Sequence, residues 1–222
     1  MLRCVICLGS ALILFSGGCS DSSPGLSSSD AGERARALQK LAAAGDEKAV
    51  EQVAALVKHE DTRTASQAIE ALGRMSSARA CDALRDVMTS ERRPELRKWA
   101  AVSLAQRREP QAADTLRRAV GSDPAPEVRA EAALGLARVG NIDDVDVLAN
   151  AAGAENDAHV AHCEVSALEA LIGVRFPYDP NASPEARKAE LERIRSTARN
   201  LAQMRKGGLP AELKCQDTRA MK

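Results

Sequence analysis

Aromatic residues are nearly missing from this chain of 222 residues: one Trp, one Tyr and two Phe make up 2% of it, while hydrophobic residues together reach 45%. Sheet-rich folds draw on β-branched and aromatic side chains, so the deficit argues against them and for helices packed through Ala, Leu and Val. Net charge is missing too. Lys+Arg and Asp+Glu each number 31, which implies no global attraction to nucleic acid and makes any basic patch a local one. Long apolar runs are lacking: the stretch from Cys4 to Phe15 holds twelve uncharged residues, short of the roughly 20 a bilayer-spanning helix needs. No Gly-rich phosphate loop, Ser-His-Asp constellation or well-spaced carboxylate pair emerges, so neither an enzyme nor a cofactor is expected.

What is present begins at the N-terminus. The uncharged run follows Arg3 and has the length of a signal-peptide core. Ser16, Gly17 and Gly18 then lead to Cys19, small residues of the kind a signal peptidase draws into a narrow cleft. The stretch resembles the lipobox of bacterial lipoproteins, usually Leu, a small residue, Gly or Ala, then Cys. Gly17, Gly18 and Cys19 fit, and Ser16 stands where Leu is usual. The resemblance implies a signal peptide over 1–18, diacylglycerol on Cys19, and an extracytoplasmic protein held at a membrane by lipid. The other reading is a plain secretory signal cut near Gly18. Residues 19–30, rich in Ser with Gly and Pro, read as a flexible tether. With Cys4 and Cys7 in the signal and Cys19 acylated, Cys81, Cys163 and Cys215 remain. Three thiols allow one disulfide at most and exclude a disulfide-stapled scaffold.

The body of the chain repeats itself. "ERARALQKLAAAGDEKAVEQVAALV" (33–57), "TASQAIEALGRMSSARACDALRDVM" (64–88), "LRKWAAVSLAQRREPQAADTLRRAV" (96–120) and "VRAEAALGLARVGNIDDVDVLANAA" (128–152) align without a gap, at offsets of 31, 32 and 32 residues. One column reads Ala37, Ala68, Ala100, Ala132; another Leu41, Leu72, Leu104, Leu136; a third Val53, Leu84, Leu116, Leu148. Each unit holds two apolar stripes of helical period separated by a turn. Such hairpins cannot bury their faces alone, but a stacked row shares one core, and the Ala column lets helices of successive units approach closely. "HCEVSALEALIG" supplies a fifth first helix, with Ala167 and Leu171 taken to continue the Ala and Leu columns after a three-residue insertion.

The spacing and residues resemble the HEAT family, especially its bacterial short-repeat class related to phycobilin lyase subunits. "PEVRAEAALGLARVG" (126–140) is the closest copy of the family pattern and "PELRKWAAVSLA" (94–105) a good one, whereas Ala65 replaces the usual Arg in the second repeat. The resemblance implies an all-α fold, an α-solenoid of four to five HEAT-like hairpins over 31–175, built to bind a protein. It also implies that Arg34, Arg97 and Arg129, which share a column, form polar ladders between repeats. The second helices of such arrays line the concave side, so their polar positions Glu51, Arg85, Asp86, Arg117, Arg118 and Asp146 are the expected partner-binding surface.

Trp99 stands in a column otherwise held by Arg36, Gln67 and Glu131, so it is expected to be partly exposed and to anchor a partner, the alternative being packing across a neighbouring helix. Arg92, Arg93, Arg97, Lys98, Arg107, Arg108, Arg117 and Arg118 crowd the third repeat. They read either as a solvated face or as a dock for an anionic partner or lipid headgroups. His159, His162 and Cys163 at i, i+3 and i+4 are weak metal candidates, since zinc wants four ligands or three plus water and no partner pair is evident. Beyond the repeats, prolines with Phe176 and Tyr178 describe a connector, and Ser183 and Pro184 open a helix striped by Leu191, Ile194, Ala198, Leu201 and Met204. Residues 176–206 are read as connector and capping helix, and 207–222 as a disordered tail. The sequence thus predicts a lipid-anchored, non-catalytic scaffold for a protein partner, without nucleic acid. A structural envelope protein and a bilin-lyase-like enzyme are the alternatives.

Overall fold

A computed structural model of the chain describes Gly25, Leu26, Ser28 and residues 30–205; the proposed signal peptide, Cys19, Cys215 and the tail lie outside the described residues. Ten helices follow one another, with no strand among the described residues. They are α1 (Ala31–Ala44), α2 (Glu47–Leu56), α3 (Thr62–Arg74), α4 (Ala78–Ser90), α5 (Pro94–Arg107), α6 (Pro110–Ser122), α7 (Pro126–Val139), α8 (Val145–Ala154), α9 (Ala158–Ile172) and α10 (Pro184–Arg205). A 3₁₀ turn, Ile142–Asp144, precedes α8. Short sequence signals set these boundaries. Asp30, Asp46, Asp61 and Asp157 cap helix N-termini through their carboxylates, and Pro94, Pro110 and Pro126 occupy first-turn positions where no amide is needed.

Odd-numbered helices pack on odd and even on even, and each hairpin packs on the next, giving the all-α solenoid the repeats predict. The Ala and Leu columns of the first four units are buried throughout, as is the Val53, Leu84, Leu116, Leu148 column. Each buried Leu contributes about 2 kcal/mol. Small residues fix where neighbouring first helices cross. A Cβ on Gly73 would lie 2.9 Å from the Ser103 Cβ, and one on Gly135 would lie 3.2 Å from the Ala105 Cβ. These pairs are one repeat apart, so α3, α5 and α7 meet at the same contact twice.

The fifth unit differs from the expected register. Burial places α9 at an unbroken 32-residue offset from α7: Val160, Val165 and Leu168 take the places of Val128, Ala133 and Leu136, while Leu171 is only half-buried. No insertion is present, and matching Ala167 to the Ala column was misleading. The residue that falls in that column is Glu164, fully buried, and Ala161 takes the place of the ladder Arg. Gly173, at φ 82, ends α9. The connector runs back over it, with the Phe176 amide donating to Glu169 Oε1 at 2.7 Å. α10 then lays Leu191, Ile194 and Ala198 against α8 and α9, standing where a fifth second helix would. Leu201 is half-buried and Met204 exposed, so the stripe is buried over its first three positions only.

Candidate functional site

Second helices α4, α6 and α8 end on an acid: Glu91, Asp123 and Glu155 are their C-caps, 32 residues apart. A carboxylate there faces the negative end of the helix dipole and needs a cation. Arg97 of α5 supplies one as a fork, donating Nε and Nη2 to the two Asp123 oxygens at 2.8 Å each. Its Nη1 donates to the carbonyls of Glu91 and Arg92 at 2.9 and 3.1 Å, tying the preceding repeat to the same guanidinium. Arg129 of α7 repeats the arrangement one unit on, bonding Glu155 at 2.7 and 3.0 Å and the Asp123 carbonyl at 3.0 Å. Burial pushes the Glu155 carboxyl up, but the Arg129 fork and the amides of Asn156 and Asp157 outweigh it and hold the group below the usual carboxylate range. In the second unit, where Ala65 cannot reach, Arg93 holds Glu91 and donates to the carbonyls of Val57 and His59. Arg34 makes a looser start, 3.8 Å from Asp61. The predicted ladder therefore exists, with Arg93 substituting at one rung.

Along these helix ends runs a row of three clefts in repeat register. They lie at α2–α4, α4–α6 and α6–α8, with volumes of about 180, 390 and 270 Å³. Equivalent positions line them: Val57, Met88 and Val120; Val87, Ala119 and Ala151; Ser90, Ser122 and Ala154; and the acids Glu91, Asp123 and Glu155. The third cleft alone is bordered by Glu164. The places equivalent to Glu164 behind the other two are Ala100 and Ala132. Neither Glu164 oxygen has a hydrogen-bond partner, and burial, then the Glu155 charge, push its carboxyl up to about 8.

The six partner-binding residues predicted from sequence all fall on second helices, but they divide by role. Asp86 and Arg118 are exposed and line the clefts. The other four bridge neighbours. Glu51 accepts from Arg79 Nη1 of α4 at 2.9 Å, Arg85 Nε donates to Thr115 Oγ1 of α6 at 3.3 Å, Arg117 pairs with buried Asp144, and Asp146 lies 3.6 Å from Arg195 of α10. Much of the basic crowd in the third repeat is likewise engaged inside the fold: Arg107 binds the carbonyls of Leu72, Met75 and Ser77 and the Glu109 carboxylate.

Trp99 lies apart, on first helix α5, 46% exposed with the Lys98 ammonium 5.8 Å from its ring centroid. Its fluorescence is expected to sit at long wavelength and to be quenched by acrylamide; a blue-shifted, unquenched emission would contradict this placement. His159 Nε2 is 3.8 Å from the Cys163 sulfur, His162 is exposed, and among the described residues no three His, Cys, Asp or Glu side chains gather as a metal site. Sequence reasoning missed the acid column, although its 32-residue spacing was readable, and missed Glu164 because a gap had been placed before it.

A stack of helical hairpins stitched by arginine forks, with its clefts in repeat register, defines an α-solenoid. A family model described as HEAT repeats matches residues 23–105 and 87–169, and the chain belongs to that family. The complex of CpcE and CpcF of phycocyanin lyase from Nostoc sp. PCC7120 is similar in structure, with a TM-score of 0.49 and 20% sequence identity over 66% of this chain. The chain spans 62% of that chain's length. No curated protein matches the sequence. Among the described residues no helix is long and apolar enough to cross a membrane.

Proposed function

We propose that this chain is a non-catalytic adaptor, held at a membrane by lipid on Cys19, whose second-helix edge binds a protein partner. The observation that carries the reading is the row of clefts in repeat register along α2, α4, α6 and α8, with exposed Asp86 and Arg118 beside it. The arginine forks hold the helix ends that shape these clefts, so the edge meets a partner preformed and little ordering is lost on binding. Leu26 is buried in the core and the Ser28 carbonyl accepts from Arg34 at 2.6 Å, so the tether expected over 19–30 is packed on α1 at these positions, and any reach from the membrane falls to the residues before Gly25. Crosslinking from membranes is expected to recover one recurrent protein in stoichiometric amount; diffuse capture instead supports a structural envelope role. Cys19→Ala is expected to move the protein from the membrane to the soluble fraction, and retention at the membrane would remove the lipid anchor from this reading.

A further inference from the structure

The third cleft breaks a rule that the rest of the solenoid keeps. The close-packed column is Ala in four units, and in the fifth it is a carboxyl with no exposed surface and no hydrogen-bond partner for either oxygen. A buried polar group left unpaired is costly and calls for an explanation in function or strain. The other acids at this cleft are already satisfied, Asp123 by Arg97 and Glu155 by Arg129. Gly121, Ala151 and Ala154 line the cleft with small side chains and leave room beside the acids for an alkyl chain. The last-turn carbonyls of α6, the negative end of its dipole, stand at the same rim and favour a cation.

We propose that the α6–α8 cleft binds a primary alkylammonium group, with the Glu164 carboxylate as its counter-ion and a lysine side chain of the protein partner as its occupant. The choice of occupant rests on the adaptor reading; the chemistry of the cleft does not. The neutral carboxylic acid gives its proton to solvent as the ammonium enters, so the products are the ammonium–carboxylate pair and one released proton. Burial, which pushes the carboxyl up to about 8, makes that proton present to be released at neutral pH. The charged and titratable groups around Glu164 are Arg129 of α7, Asp123 and Glu155 at the ends of α6 and α8, Tyr178 of the connector and Arg187 of α10. Arg129 is committed to Glu155, and Arg187 Nη1 donates to the Glu155 carbonyl at 3.2 Å.

The test is calorimetric titration of the full chain with n-butylammonium chloride at pH 6.5, repeated in buffers of different ionisation enthalpy, with tetramethylammonium as a cation lacking N–H donors. Saturable binding is expected for butylammonium and not for tetramethylammonium, with about one proton released per cation bound. Glu164→Ala, which restores the residue of the other units, is expected to weaken binding by about tenfold or more and to abolish proton release. Glu164→Gln keeps the side-chain shape and serves as a second variant with the same expectation. Absence of saturable binding, equal binding by both variants, or binding without proton release would overturn the proposal. The titration contains no partner, so its failure removes the ammonium cleft alone, whereas a failed crosslinking capture removes the adaptor reading.

Discussion

Arg97→Ala is expected to cost about 3–5 kcal/mol of stability, read as a lower midpoint in urea unfolding followed by circular dichroism. The Arg97 and Asp123 side chains are 9% and 6% exposed, so removing the arginine strands a carboxylate away from water at the negative end of α6. The same change releases the carbonyls of Glu91 and Arg92 at the end of α4. One side chain therefore joins the second and third units, and in a linear array the loss falls on the interface it spans. Arg97→Lys keeps the charge but not the planar fork, and an intermediate loss is expected. Arg34→Ala is the contrasting control: its Asp61 partner is 46% exposed at 3.8 Å, so no carboxylate is stranded away from water, and the smaller loss expected comes from its bond to the Ser28 carbonyl. Equal losses for Arg97→Ala and Arg34→Ala would sink the account of the ladder as a buried stitch.

What could be read from the sequence was whatever close packing dictates residue by residue. A column that must admit a neighbouring helix tolerates little beyond Ala, so Ala37, Ala68, Ala100 and Ala132 announce the register, and Leu41 to Leu136 follow the same steric demand. The ladder arginines were legible through the family resemblance, and their forks to Asp123 and Glu155 bear out the structural role it implied. The clefts were not legible, because their walls are set by how helix ends splay, and positions such as Val57, Met88 and Val120 share no distinctive residue. Helical spacing places Glu51, Arg85, Arg117 and Asp146 on second helices but does not show that they bridge neighbouring elements, which Glu51 and Asp146 do while staying exposed. The fifth unit misled for a physical reason. A gapless alignment puts a carboxyl into an apolar column, so sequence logic preferred an insertion, and the exception to the rule was the informative residue.

Glu164→Ala is expected to change how stability depends on pH. In the unfolded chain the carboxyl titrates at its ordinary value of 4.5, and in the fold burial, then the charge of Glu155, push it up to about 8 against the opposing pull of Arg129. Between those values the folded protein holds a proton the unfolded chain has already lost, so wild-type stability falls as pH rises through that window. Below 4.5 both states are neutral, and above 8 both are ionised, so the contribution is flat on either side. At about 1.4 kcal/mol per pH unit, the fall across the window is on the order of 5 kcal/mol. Alanine removes that slope and forfeits the burial of one methylene, about 0.8 kcal/mol, along with the carboxyl. The variant is therefore expected to be less stable than wild type by about 1 kcal/mol near pH 4 and more stable by about 4 kcal/mol above pH 8, with the curves crossing between. Urea unfolding of both proteins at intervals from acid to alkaline pH measures this directly. Parallel profiles would mean that Glu164 titrates alike in the folded and unfolded chain, and the buried neutral carboxyl, with the cation exchange built on it, would fall.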